Sequence, residues 1–106
     1  MAEIDPFQVR FSQASVKPQF RDGSSIAELA DALRDGKIQP SDIPPIRLVK
    51  RDGLLYTIDN RRLLAFQLAK KPVPYQMATD DEIEEAIWKF TTTNQGVSIQ
   101  VRGMLR

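Results

Sequence analysis

The 106-residue sequence has a net charge of +1, from 15 basic and 14 acidic side chains, and 42% of its residues are hydrophobic. This balance is typical of one globular domain, and bulk charge does not predict nucleic-acid binding. The chain contains no cysteine and no histidine, which excludes disulfides, zinc–thiolate and HNH-type metal sites, and Ser-His-Asp triads. No apolar run approaches the length of a membrane span, about 18 residues, so we expect no membrane partner.

The first third of the sequence predicts a strand, a loop and a helix. Apolar and polar side chains alternate over residues 7–11, which predicts a half-buried strand. Residues 13–23 contain a proline and an Asp-Gly pair, which are typical of a loop. Ser25 and Glu28 form a capping box before apolar residues at helical spacing, and Gly36 is placed to end that helix.

The middle third predicts a hairpin followed by a buried helix. Two short apolar runs, residues 46–50 and 54–58, flank the Arg-Asp-Gly sequence of residues 51–53, which is a strong hairpin signal. Residues 61–69 are apolar on nearly every side, so we expect this helix to be buried against a sheet. Residues 73–77 are a further candidate strand.

The last third predicts a third helix and a final strand. Thr79 and Glu82 form a second capping box. The apolar face of this helix consists of Ile83, Ala86, Ile87 and Phe90. Trp88 could stack a base, but its position beside that face favours the core or its rim. A turn at residues 94–96 leads into a strand over residues 97–101. Together the elements predict a single small α/β domain of mixed α+β character, with a short mixed sheet and about three helices.

The basic charge is concentrated in the middle of the chain. Residues 47–71 contain seven basic and two acidic residues, a net charge of +5, whereas residues 1–46 and 72–106 each sum to −2. Arg61 and Arg62 lie where the hairpin enters the second helix, so they oppose the helix dipole at a cost of about 0.3–1 kcal/mol each. Two explanations remain open: the arginines bind an anion, most naturally phosphate, or one of them pairs with Asp59 or another carboxylate, or both are solvated.

The segment around these arginines, residues 55–69, resembles the ParB/sulfiredoxin-like superfamily, in which a strand runs into a G-x-R-R-type turn and then a helix. Residues 15–21 and 45–49 look like earlier strand segments of that family, and the likeness covers roughly residues 10–77. It implies that Asn60, Arg61 and Arg62 hold nucleotide or nucleic-acid phosphates. Sulfiredoxins have a catalytic Cys and a His in this turn; neither is present here, so reductase chemistry is excluded. The chain also has no room for the DNA-reading and dimerisation domains of partition ParB proteins.

A subgroup of this family shares three further motifs with the chain. It forms the C-terminal domain of polymorphic secreted toxins of the Rhs and contact-dependent inhibition types. The resemblance lies in R-F-S-Q at residues 10–13, T-x-D-N-R-R at residues 57–62 and T-T-N-x-G-x-S-I-x-V-R-G at residues 92–103. It implies a secreted effector that acts in the target-cell cytoplasm and has a cognate immunity protein.

A nuclease without His or Cys needs a metal held by oxygen ligands, or a base drawn from Asp, Glu, Lys or Tyr. Asp59 is the best-placed carboxylate: it is either a catalytic group and ligand of Mg²⁺ or Mn²⁺, or the N-cap of the helix. Arg61 and Arg62 would stabilise the charge that develops at phosphorus. The candidate substrate contacts are Ser12, Gln13, Thr57, Asn94 and Ser98.

The function expected from the sequence is therefore a toxin domain that cleaves phosphodiester bonds in nucleic acid. Two alternatives use the same phosphate site. One is a cytoplasmic, non-catalytic module that binds nucleotide or DNA. The other is a phosphotransferase that uses a nucleoside triphosphate.

Overall fold

The computed structural model describes residues 2–103 and has a mixed α/β fold with three α-helices, as the sequence predicts. Its helices are α1 (Ile26–Arg34), α2 (Asn60–Ala69) and α3 (Asp80–Ala86). Its strands are β1 (Glu3–Ile4), β2 (Arg10–Phe11), β3 (Ser15–Val16), β4 (Ile46–Arg51), β5 (Leu54–Thr57), β6 (Val73–Met77) and β7 (Gln100–Val101). Short 3₁₀ helices span Pro6–Gln8, Pro40–Asp42 and Ile87–Lys89.

Five strands form one mixed sheet in the order β1-β6-β4-β5-β2. The predicted hairpin is confirmed: β4 and β5 are antiparallel, with Arg51 opposite Leu54. Asp52 and Gly53 between them have φ values of 53° and 78°, the left-handed conformation that a two-residue type I′ turn requires. β2 joins β5 and β6 joins β4 in parallel, β1 is antiparallel to β6, and β3 and β7 form a separate parallel pair.

The helices pack on both faces of this sheet. Leu48 and Val49 are neighbours on β4 and therefore point to opposite faces. Leu48 belongs to the main core, which α1 and α2 cover with Leu33, Phe66 and their neighbours. Val49 belongs to a smaller cluster with residues of α3. None of the helices within residues 2–103 is long and apolar enough to cross a bilayer.

Both predicted capping boxes are present. The Ser25 hydroxyl accepts from the Glu28 backbone N–H at 3.0 Å, and the Glu28 carboxylate accepts from the Ser25 N–H at 2.8 Å. Thr79 and Glu82 make the same reciprocal pair at the start of α3. Such caps satisfy backbone N–H groups that have no partner within the helix, which is why these starts were readable from sequence.

The predicted strand over residues 7–11 is wrong for its first half. Asp5 caps a 3₁₀ helix by accepting from the Phe7 N–H at 3.0 Å, and Pro6 supplies a backbone angle suited to that turn. Phe7 is consequently 61% exposed, and only Arg10–Phe11 pairs as a strand. The expected loop over residues 13–23 likewise contains a short strand, Ser15–Val16.

The third helix and the final strand are shorter than predicted. After Ala86 the backbone tightens into a 3₁₀ helix, which changes the angular spacing of side chains and breaks the expected apolar face. Ile87 is therefore exposed, and Trp88 is 66% exposed and not part of the core. The final strand is reduced to Gln100–Val101, because the preceding residues continue the turn that begins at Thr92.

Candidate functional site

The turn from β5 into α2 lies at the wall of a surface pocket. Residues 58–62 form one side of this pocket, and Gln13, Phe20 and Lys89 form the other. The first intrahelical bond runs from the Leu63 N–H to the Asp59 carbonyl at 3.1 Å. The N–H groups before it have no partner within the helix, so the positive end of the helix dipole is at this pocket.

Asp59 occupies the N-cap position, but its side chain does not cap the helix. Its carboxylate instead accepts three hydrogen bonds from Arg47 on β4: from the backbone N at 2.8 Å, from Nε at 3.0 Å and from Nη2 at 2.7 Å. The Thr57 hydroxyl accepts from the Asp59 N–H at 2.9 Å and completes the turn. The sequence raised a cap and a metal ligand as explanations of Asp59, and the structure presents a third, an ion pair with the neighbouring strand.

This ion pair fixes the charge state of Asp59. Burial raises the pKa of its carboxyl group, but the hydrogen bonds from Arg47 and the positive charge of Arg62 outweigh burial, so the pKa is lowered overall. The hydrogen bond to Asp59 in turn raises the pKa of Arg47. Asp59 is therefore ionised at neutral pH and is a poor general base, because its lowered pKa makes it a weak base and both of its oxygens already accept from Arg47.

The same contacts do not suit a divalent metal. Both carboxylate oxygens of Asp59 accept from Arg47, the side chain is only 7% exposed, and Arg62 Nη2 lies 3.7 Å from Oδ1. A cation at this carboxylate would have to displace a guanidinium and lie beside a second one. Within residues 2–103 there is also no group of three or more acidic residues that could hold a metal ion. Dependence on Mg²⁺ or Mn²⁺ thus stays a prediction from sequence.

Asn60 is buried and organises the turn from inside. Its Oδ1 accepts from the backbone N–H of Ser12 at 2.8 Å and of Gln13 at 3.3 Å. Its Nδ2 donates to the Ser12 hydroxyl at 3.0 Å and to Gln13 Oε1 at 3.2 Å. These bonds use the whole amide, so a phosphate contact by Asn60 would come from its backbone N–H.

Arg61 and Arg62 both line the pocket, and both also hold distant backbone segments. Arg61 Nη1 donates to the Gln19 carbonyl, and its guanidinium carbon lies 5.7 Å from the centre of the Phe20 ring. Arg62 Nη1 donates to the carbonyls of Pro44 and Pro45 at 3.1 and 3.2 Å. The two arginines are therefore not left uncompensated, and each retains donors that are free to bind an anion.

Lys89 is a pocket residue that the sequence interpretation missed. It lies on the 3₁₀ helix after α3, and its Nζ donates to the Ile58 carbonyl at 3.0 Å, directly beside the β5–α2 turn. Burial lowers the pKa of its ammonium group, the negative charge of Asp59 opposes this shift, and the positive charges of Arg47, Arg61 and Arg21 reinforce it. A lone lysine after a helix is unremarkable in sequence, so no local signal marked it.

The remaining candidate substrate contacts separate into two groups. Ser12 and Thr57 are fully buried, Gln13 reaches the pocket, and all three support the turn through Asn60 or Asp59. Asn94 and Ser98 bond to each other at 3.0 Å and line a different cleft. The fold thus brings three of the five candidates to the β5–α2 turn.

A comparison with protein-family models gives no match, and a comparison with curated proteins gives no significant relative. The pocket presents two guanidinium groups, one partly buried ammonium group and a helix N-terminus, and its single carboxylate is neutralised by Arg47. Such a site can bind an anion and stabilise negative charge that develops on it.

Proposed function

We propose that this chain is a toxin domain of ParB/sulfiredoxin-like type that binds nucleic acid and cleaves its phosphodiester bonds. One observation carries the proposal: Arg61, Arg62 and Lys89 converge on one pocket at the N-terminus of α2. Three cations beside free backbone N–H groups form a site for phosphate. The toxin assignment rests on the motifs at residues 10–13, 57–62 and 92–103, and it implies secretion and an immunity protein as partner.

The residues of the pocket have separable roles in this proposal. Arg61 and Lys89 bind the phosphate and stabilise the charge that develops in the transition state. Arg62 contributes charge and holds the loop that contains Pro44 and Pro45. Asp59 is a positioning residue, because its ion pair with Arg47 fixes the entry of α2. The pKa of Lys89 is lowered, chiefly because burial disfavours its charged form.

A second candidate function, a non-catalytic nucleotide- or DNA-binding module, is favoured by one specific observation. The only carboxylate of the pocket has both oxygens bonded to Arg47, so no free carboxylate is available to activate water. Binding alone needs only the cations and the backbone N–H groups. The two candidates therefore share a ligand and differ in whether the bound strand is cut.

Cleavage and binding assays on purified variants test the proposal. Wild-type protein is incubated with labelled DNA, RNA and nucleotides, with Mg²⁺ or Mn²⁺ and with chelator. Arg61→Ala should reduce binding and cleavage at least tenfold, because a charge-assisted contact is lost. Arg10→Ala is the matched control: Arg10 also donates to a backbone carbonyl, that of Gln95 at 3.3 Å, but it does not line the pocket.

The outcomes separate the two functions. Cleavage that Arg61→Ala abolishes and Arg10→Ala preserves supports the nuclease. Binding without cleavage under any condition, together with harmless expression in a bacterial cytoplasm, supports the binding module. Full activity of Arg61→Ala overturns the phosphate pocket for both. Full cleavage in chelator would rule out the expected metal.

A further inference from the structure

A groove of one charge sign continues from the pocket across the surface. Gln13, Arg61 and Lys89 line both cavities, so the groove and the pocket are continuous. The groove adds Val16, Lys17, Arg21, Trp88 and Arg102. Five of its eight lining residues are cations and none is acidic. The net charge of +1 conceals this surface, because the acidic residues lie elsewhere.

The cations of this groove are not neutralised by the protein. Salt bridges in the part of the chain that the structure describes involve Arg34, Arg47 and Arg62, none of which lines the groove. Like charges brought together without carboxylates repel each other, and an anionic partner relieves that repulsion. An extended row of such charges matches a polyanion better than a single phosphate.

Trp88 adds a second, independent feature. It is the only tryptophan of the chain, and it is 66% exposed at the groove. Its ring lies next to Lys89, whose Nζ is 5.8 Å from the ring centre. A large exposed aromatic ring among cations is the combination with which proteins bind unpaired bases, since the ring stacks on a base while the cations contact the backbone.

We propose that a single-stranded segment of nucleic acid occupies this groove, with a phosphate at the pocket and a base stacked on Trp88. This inference rests on the proposed function and names its substrate class. In a duplex the bases are already stacked on each other and are not available to an aromatic side chain at the surface. A strand that is unpaired at the site should therefore bind more tightly than a duplex of the same sequence.

Tryptophan fluorescence reports directly on this contact. Titration with single strands of about 12 nucleotides, within the range of known single-strand sites, should quench Trp88 because a stacked base deactivates the indole. Trp88→Ala should weaken binding of that strand about 5- to 150-fold, the equivalent of one lost base stack; because this variant has no tryptophan, its affinity is measured with a fluorescently labelled strand. Ile87→Ala is the matched control, because Ile87 is the preceding residue, is also exposed and does not line the groove. Single-stranded DNA, single-stranded RNA and duplexes are compared in parallel.

The charge of the groove is tested by salt dependence. A plot of log affinity against log salt concentration has a negative slope. The double variant Lys17→Gln/Arg102→Gln should make that slope less steep by about 0.7 for each lost cation that contacts a phosphate. The double variant Lys37→Gln/Lys50→Gln removes the same charge from exposed sites outside the groove and should leave the slope unchanged.

The results distinguish the groove from the pocket. Wild-type affinity of Trp88→Ala and unquenched Trp88 fluorescence in the wild-type protein, together with loss of binding in Arg61→Ala, overturn the groove and leave the proposed function standing. Equal affinity and equal quenching by duplex and single strand overturn the assignment to single strands. If Arg61→Ala and Trp88→Ala both keep wild-type affinity, both the groove proposal and the proposed function are wrong. Thermal unfolding of each variant separates these results from loss of fold.

Discussion

Replacing Asp59 by Asn tests whether this carboxylate is structural or catalytic. The change retains one oxygen acceptor but removes the charge and turns an amide donor toward Arg47, which donates three hydrogen bonds here. Breaking a fully buried ion pair costs about 3–5 kcal/mol. Arg47 is 31% exposed and keeps Glu82 at 3.4 Å, so we expect a smaller loss of about 2–4 kcal/mol in the free energy of unfolding.

Urea denaturation, monitored by far-ultraviolet circular dichroism, measures this loss in the free energy of unfolding. Tryptophan fluorescence is a poor probe here, because the only tryptophan is already exposed in the folded protein. Glu82→Gln is the control: Glu82 is a weaker partner of Arg47, and glutamine keeps the cap on Thr79. It should cost no more than about 1 kcal/mol. A double-mutant cycle with Arg47→Met isolates the coupling between the two groups.

The pH dependence gives an independent check with a defined sign. The pKa of Asp59 is lowered in the folded protein, so its contribution to stability is present above its unfolded pKa of about 4 and is lost as pH falls through the folded value. The stability difference between wild type and Asp59→Asn should therefore shrink below about pH 4. Unchanged stability of Asp59→Asn at neutral pH, combined with lost cleavage, would refute the structural role and make the carboxylate catalytic.

Two further substitutions test how the site is held. Gly96 has φ +72°, and a Cβ there would lie 2.2 Å from the Phe11 carbonyl oxygen. Gly96→Ala should lower the free energy of unfolding by about 2–4 kcal/mol in thermal or urea unfolding. Gly36→Ala is the control, because Gly36 has a similar φ and open space around it, and it should cost about 1 kcal/mol. Equal costs would contradict the close contact between Gly96 and the Phe11 carbonyl. Asn60→Ala should cost about 2–4 kcal/mol because it leaves the buried N–H of Ser12 without a partner, and retained stability would show that the amide network is dispensable.

The sequence predicted those elements whose signals are local. Capping boxes placed the starts of α1 and α3, and the Asp-Gly turn placed the hairpin, because each signal depends on residues within a few positions of one another. Strands of two residues carry no such signal. Ser15 is defined as a strand residue only by its pairing with Gln100, and nothing near Ser15 in the sequence indicates that partner.

The same distinction between local signals and long-range contacts applies to the residues of the candidate site. Arg61 and Arg62 were found because their position at a helix start is unusual for cations. Lys89 and Phe20 reach the pocket from separate parts of the chain, which only the tertiary fold brings together. The hairpin register alone does not predict the Arg47–Asp59 pair, because continuing it from Arg51 and Leu54 places Arg47 opposite Ile58. Asp59 reaches Arg47 only because the chain turns into α2 after Ile58.

The pairing of β3 with β7 has a consequence for the order of folding. Arg102 bonds to Ser15, 87 positions earlier in the chain, and contacts of such long range form late because the intervening loop must first be closed. The basic groove is lined by Val16 of β3 and by Arg102, which directly follows β7. During synthesis the groove therefore cannot be complete until residue 102 has left the ribosome, whereas the hairpin and the first two helices need only residues that precede it.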